Sequence, residues 1–127
     1  MIPRFRAYDG GSLCRMYCPE EVMVGNGDIW IIDEDGVAGE WIVNNDLVLM
    51  QSTGLTDKNG KEIFEGDVVK MAKDFYSEPT YYEVVRHRGG AYRLESEQHG
   101  YELWLRHTDC EIAGNIYENP ELVEVKK

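Results

Sequence analysis

The stretch MQSTGLTDKNGKEIFEGDVVK, Met50 to Lys70, gathers Thr53, Asp57, Asn59, Glu62, Glu65 and Asp67 among three glycines. Oxygen-bearing side chains at such density could hold a cation or a phosphate. A calcium loop needs acidic or amide ligands at alternate positions, then Gly at the sixth and Glu at the twelfth. Counted from Asp57, Lys61, Glu62 and Val68 stand where ligand, glycine and glutamate should be. A phosphate-binding loop needs Lys-Ser/Thr after its glycines and then a helix. Here Gly60-Lys61 runs into Glu62 and an apolar pair, Ile63-Phe64. Both chemistries fail. Turn chemistry fits: Asn59-Gly60 is a strong hairpin signal and predicts a type I′ turn. Asp57 is placed to accept backbone amides two residues on. Thr53-Gly54-Leu55 is read as a bend, with Leu55 plugging the core. Glu65-Gly66-Asp67 is a second turn.

The other reactive types are scattered. His87, His99, His107 and Cys110 could all ligate zinc. Only His107 and Cys110 are neighbours, three apart, and no finger or ribbon spacing occurs. Cys14 and Cys18 are not a Cys-x-x-Cys pair. Ser52, Ser77 and Ser96 lack a Gly-x-Ser-x-Gly elbow. Glu65, Asp67 and Asp109 would need a metal and a nearby lysine to act as a nuclease. The sequence therefore predicts no catalytic, cofactor-binding or metal-binding residue, and no cofactor.

Composition narrows the classes further. Hydrophobic residues make up 43% of the 127 residues, enough for a packed core in a chain of one domain or a domain with a small subdomain. The formal net charge is −11. Residues 1–50 hold three basic and nine acidic side chains, and residues 51–127 hold ten and fifteen. Affinity for nucleic acid rests on neutralising phosphates, so that role is disfavoured. Arg86, Arg88, Arg93 and Arg106 are the best members of a weak basic strip. No apolar run approaches the roughly 20 residues of a membrane span. The first residues have no apolar signal region. Three cysteines do not make a disulfide framework. A reducing cytosol is the expected home.

The elements that must position these residues are short strands. Apolar alternation and turn residues predict strands at Arg4–Tyr8, Leu13–Tyr17, Val22–Val24, Asp28–Ile32, Val37–Val43 and Leu47–Gln51. Pro19-Glu20-Glu21 starts a connection or a single helical turn. Further strands are expected at Val68–Ala72, Tyr82–His87, Ala91–Ser96, Tyr101–Arg106 and Glu111–Tyr117. Asn119-Pro120-Glu121 reads as a capped helix start. Five short strands from Gly66 onward suit a small SH3-like barrel. The expected fold is mainly β with little helix: an N-terminal β-rich subdomain over residues 1–47 and an SH3-like barrel over 48–127.

Aromatics exceed what a small barrel can bury. Tyr76, Tyr81, Tyr82, Tyr92, Tyr101 and Trp104 are the candidate interaction surface, with Trp104 sharing an outer strand face with Glu102 and Arg106. Tyrosine and tryptophan anchor protein interfaces. A second copy of the chain and another protein are equally good occupants.

Three segments carry a family resemblance. TGLTDKNGKEIFEGDVV, Thr53–Val69, looks like the signature of the YopX family of phage and prophage proteins. PRFRAYD, Pro3–Asp9, resembles the family's opening, which usually has Trp where Tyr8 stands. EIAGNIYENPEL, Glu111–Leu122, is similar to its ending, which usually has a larger aliphatic residue at Ala113. The resemblance covers both ends and the centre. It implies a β-rich protein with an SH3-like barrel in its C-terminal part, and it implies no activity, cofactor or catalytic residue. The reading is a phage or prophage protein that binds or assembles with an unknown host or phage protein or with itself, without membrane contact. The alternative is a nucleic-acid-related role, through the arginine strip or by acidic mimicry of DNA.

Overall fold

A computed structural model describes residues 4–11, 15–32, 40–72, 79–87, 90–96 and 100–123. Strands make up 57% of these residues, and the fold is mainly β with little helix. The chain divides into two compact units, Met1–Ser52 and Thr53–Lys127.

The first unit holds β1 (Phe5–Asp9), β2 (Arg15–Tyr17), β3 (Val22–Gly25), β4 (Asp28–Ile32) and β5 (Trp41–Val43). It also holds the first half of β6 (Val48–Thr56). β1 lies between β2 and β6, and its small central residue, Ala7, faces Tyr17 on one side and Leu49 on the other. β3, β4 and β5 form an antiparallel sheet in that order. Ala7, Tyr17, Val22, Ile31 and Leu47 make the unit's core. Pro19–Glu21 is a single 3-10 turn, as its Pro-Glu-Glu sequence suggests.

In the second unit, β7 (Glu62–Phe64) pairs with β6. A five-stranded sheet follows in the order β11-β10-β9-β8-β12. Its strands are β8 (Asp67–Met71), β9 (Thr80–Arg86), β10 (Tyr92–Glu95), β11 (Gly100–Glu102) and β12 (Glu111–Asn115). The curled sheet makes a half-barrel, in keeping with the small barrel expected from the strand count. Its core is Ile63, Val69, Met71, Tyr82, Val84, Leu94, Leu103 and Cys110, with Leu55 packed against it. In β10, Leu94 is buried while Arg93 and Glu95 are not, the alternation read from the sequence.

Four local expectations change. The two-residue type I′ turn lies at Asn26-Gly27, where both φ angles are positive, 52° and 80°. It joins β3 to β4 through the pair Gly25↔Asp28. Asn59 has no positive φ, so Asp57–Gly60 is instead an ordinary turn closed by Gly60 N–H to the Asp57 carbonyl, with Gly60 left-handed at 81°. Thr53–Leu55 does not end a strand, because β6 runs on to Thr56, with Gly54 at φ 78°. The strand expected over Tyr101–Arg106 stops at Glu102 and becomes a one-turn helix, α1 (Leu103–Arg106), followed by a 3-10 turn at His107–Asp109. Period two would expose Trp104 and bury Leu105. One helical turn buries Leu103 and exposes Trp104 and Leu105.

Asn119 heads a 3-10 turn, Pro120–Leu122, but does not cap it. Its side chain turns back and accepts from the Asn115 N–H at 3.3 Å. Asn115 Oδ1 in turn accepts from the Tyr117 and Glu118 amides at 3.0 and 2.8 Å. Gly114 is required beneath this knot, because an added Cβ would lie 2.7 Å from Asn119 Cγ and 3.0 Å from its Cβ. The calls on Leu13, on the turn at residues 33–36, on Val37–Gly39 and on Arg88-Gly89 lie outside the described residues, as do those on residues 97–99. Gly114→Ala is expected to lower the unfolding free energy by about 1–3 kcal/mol, the usual range for overpacking. Urea denaturation would show this as a lower midpoint with unchanged slope.

Candidate functional site

The acidic motif is a hydrogen-bonding centre. The Asp57 side chain is buried. Its Oδ1 accepts from the Asn59 and Lys61 amides, both at 2.9 Å, and its Oδ2 accepts from the Ile112 amide at 3.0 Å. Burial alone would raise its pKa. The three backbone donors, helped by the Lys61 charge, outweigh burial and hold it below the ordinary 3.8. Asp67, also buried, accepts the Phe64 amide at 2.8 Å. Thr53 Oγ1 donates to the Ile63 carbonyl at 2.8 Å and accepts from the Leu55 amide at 3.2 Å. Gly66, at φ 87°, donates its N–H to the Val84 carbonyl and accepts from the Ile116 amide, both at 2.9 Å. Glu65 precedes it in the turn, half-buried. The acids whose bonds are resolved thus hold backbone amides.

Three of the metal-capable side chains, His107, Cys110 and Cys18, make hydrogen bonds, and His87 is exposed at the end of β9. His107 Nδ1 meets the Thr56 carbonyl at 2.7 Å. Cys110 is buried, its thiol donating to the Arg106 carbonyl at 3.3 Å, and burial together with Asp109 pushes its pKa to about 11. Such a thiol stays protonated at neutral pH and makes a poor ligand. Cys18 Sγ donates to Glu21 Oε1 at 3.1 Å, and that bond, with burial, raises its pKa. Among the described residues, no three His, Cys, Asp or Glu side chains gather as a metal-holding group. Cys14, Ser77 and His99 lie outside the described residues.

The arginine strip is largely neutralised. Arg93 Nη1 reaches Glu102 at 2.7 Å across β10 and β11, and its Nε reaches Glu95 at 3.2 Å. Arg106 sits 5.2 Å over the Tyr101 ring and 3.7 Å from Asp109. Arg86 is exposed at the end of β9, and Arg88 lies outside the described residues.

The tyrosine set does not form one surface. Tyr82 is only 4% exposed and belongs to the core. It faces Val69 across β8 and stacks edge-on against Tyr101, with centroids 5.7 Å apart. Tyr82 and Val84 share the inward parity of β9, which is why the neighbouring Tyr81 is exposed instead. Tyr92 and Tyr101 are half-buried against the same core. Tyr76 lies outside the described residues. Trp104 is 63% exposed and Leu105 beside it 58%, both on α1.

A second apolar surface, on the first unit, escaped the sequence reading. Register places Met23, Trp30 and Val43 in one row across β3, β4 and β5, with Ile32 opposite Trp41 beside them. Val22 and Ile31 point the other way, into the core. The row of Met23, Trp30 and Val43 is therefore the outward face. Met23 is 48% exposed, Val43 43% and Trp41 36%. The available signal was the lack of alternation in VMV, DIWII and WIV. Strands apolar at both parities present apolar side chains on both faces of their sheet.

In this small, mainly β chain of two units, buried turn acids hold backbone amides, and apolar side chains of β3, β5 and α1 are exposed. The sequence model of the YopX protein family matches residues 4–124, and the chain belongs to that family. Two solved structures are similar over almost the whole chain. Protein EF1440 from Enterococcus faecalis is 28% identical, with a TM-score of 0.66, over 98% of this chain and 99% of that one. Protein yopX from Bacillus subtilis is 19% identical, also at 0.66, over 95% and 98%, and that likeness shows the fold. No curated protein sequence matches. Among the described residues, no helix is long and apolar enough to cross a membrane.

Asp57 carries a pH dependence with a definite sign. A depressed carboxylate stabilises the fold above its unfolded pKa, and this contribution fades as pH falls through the folded one. Asp57→Asn keeps an acceptor but faces the Ile112 amide with a donor. It is expected to cost about 1–3 kcal/mol at pH 7. The variant should also lose less stability than the parent below pH 4, as followed by urea midpoints across pH.

Proposed function

We propose that this chain is a non-enzymatic protein-binding or assembly module of phage or prophage origin, working in the bacterial cytoplasm. The observation that supports the reading is the outward apolar face of the β3–β5 sheet, Met23, Trp30, Trp41 and Val43. Monomeric proteins rarely leave such faces open, and where they do the face marks an interaction site. Trp41 is the natural anchor, since tryptophan dominates the energetics of interfaces. Trp104 and Leu105 on α1 are a smaller apolar site of the same kind. The buried carboxylates and protonated Cys110 fit a scaffold role, because each is committed to a backbone group.

The test is a pull-down from the lysate of a bacterium carrying the element, with light scattering on the purified chain. Met23→Asp with Trp41→Asp is expected to abolish capture of a partner, or formation of oligomers, that the parent shows. Trp104→Ala should weaken it by about tenfold or less if α1 contributes to the same contact. Circular dichroism confirms that the variants fold. A parent chain that is strictly monomeric and captures nothing would remove the reading, as would capture untouched by the paired aspartates.

A further inference from the structure

We propose that the open edge of β5 accepts an extended, lysine- or arginine-flanked segment of another protein as an added strand. This rests on the reading of the chain as a protein-binding module and specifies its partner. Among the described strands β5 pairs with β4 alone, and all three of its residues are exposed. The Asn44 N–H donates to the Ile29 carbonyl at 2.9 Å, so Asn44 turns its backbone groups toward β4. Antiparallel alternation then sends the backbone groups of Val43 and Trp41 to the open edge. Exposed edges are normally blunted by shortness, lysine, proline or a bulge. β5 is short, but Trp41, Ile42 and Val43 bring no lysine, no proline and no bulge. Such an edge with an apolar face is the setting for strand addition, in which backbone bonds supply affinity and alternate side chains supply specificity.

Charge selects the occupant. Exposed Glu40 precedes the strand, and exposed Asp46 follows its Asn44-Asn45 turn. The first unit carries three basic and nine acidic side chains. A second copy would set a net charge of −11 against another −11. Like fields oppose that encounter, whereas a cationic segment is drawn in.

The probe is a synthetic peptide of alternating Val and Thr with Lys at both ends, and its counterpart with Glu at both ends. Fluorescence anisotropy on the full chain is expected to show binding of the Lys peptide alone, weakening as salt is raised. Val43→Pro removes an outward donor and should abolish binding while circular dichroism stays unchanged. The double variant Glu40→Lys, Asp46→Lys, made only at exposed positions, covers the case in which Val43→Pro fails to fold. It should raise the Kd about tenfold. Equal binding of the two peptides overturns the proposal. So does an unchanged Kd in the charge variant, or a dimer of the chain alone that Val43→Pro dissolves. If Met23→Asp with Trp41→Asp abolishes partner capture while the edge and charge variants are silent, strand addition fails and the binding-module reading stands.

Discussion

The second unit depends on one carboxylate. Asp57 gathers three backbone amides, two from its own loop and one from β12, more than fifty residues on. An amide side chain there would offer one acceptor oxygen and turn an NH2 group toward a third donor, and a buried unmade donor costs about 1–3 kcal/mol. The charge is tolerable because the donors replace the water it gave up. β12 is thereby tied to the loop between β6 and β7 as well as to its neighbour β8. The Lys58 N–H reinforces the tie by donating to the Cys110 carbonyl at 2.9 Å. Asp57 and Asp67, two of the acids that looked like ligands, are thus part of the fold's own hydrogen-bonding.

The same economy runs through the other polar clusters. The Asn119 side chain accepts the Asn115 amide and the Asn119 N–H donates to the Asn115 carbonyl, closing the turn after β12 over a glycine with no room for a Cβ. His107 and Cys110 spend their polar atoms on carbonyls. Exposed large apolar side chains lie on the outward face of β3–β5 and at the Trp104-Leu105 pair. Binding is therefore the reading these surfaces support.

Much of the architecture was legible in the residues. An unbroken apolar run between turn residues placed β4 to the residue, and alternation and turn residues placed most other strands to within a few positions. The turn glycines were equally visible, since positive φ favours glycine. Turn type was less so: Asn-Gly occurs twice, and only the pair with two residues between strands adopts the mirror-image turn. The helix at Leu103–Arg106 was hidden, because four residues contain one turn of either period. The site was the least legible part. Counting tyrosines showed an excess of aromatics but not which face each one occupies, and Tyr82 turned inward.

The sequence by itself determined the β class, the turn positions, the acidic character and the family signature. These are local or compositional properties, carried by neighbouring residues. Only the tertiary structure decided that Asp57 serves β12, that Tyr82 is core, and that Met23, Trp30 and Val43 line one outward row. Those facts depend on register between strands. Shifting a register by one residue would send each side chain to the opposite face without changing a letter of the sequence.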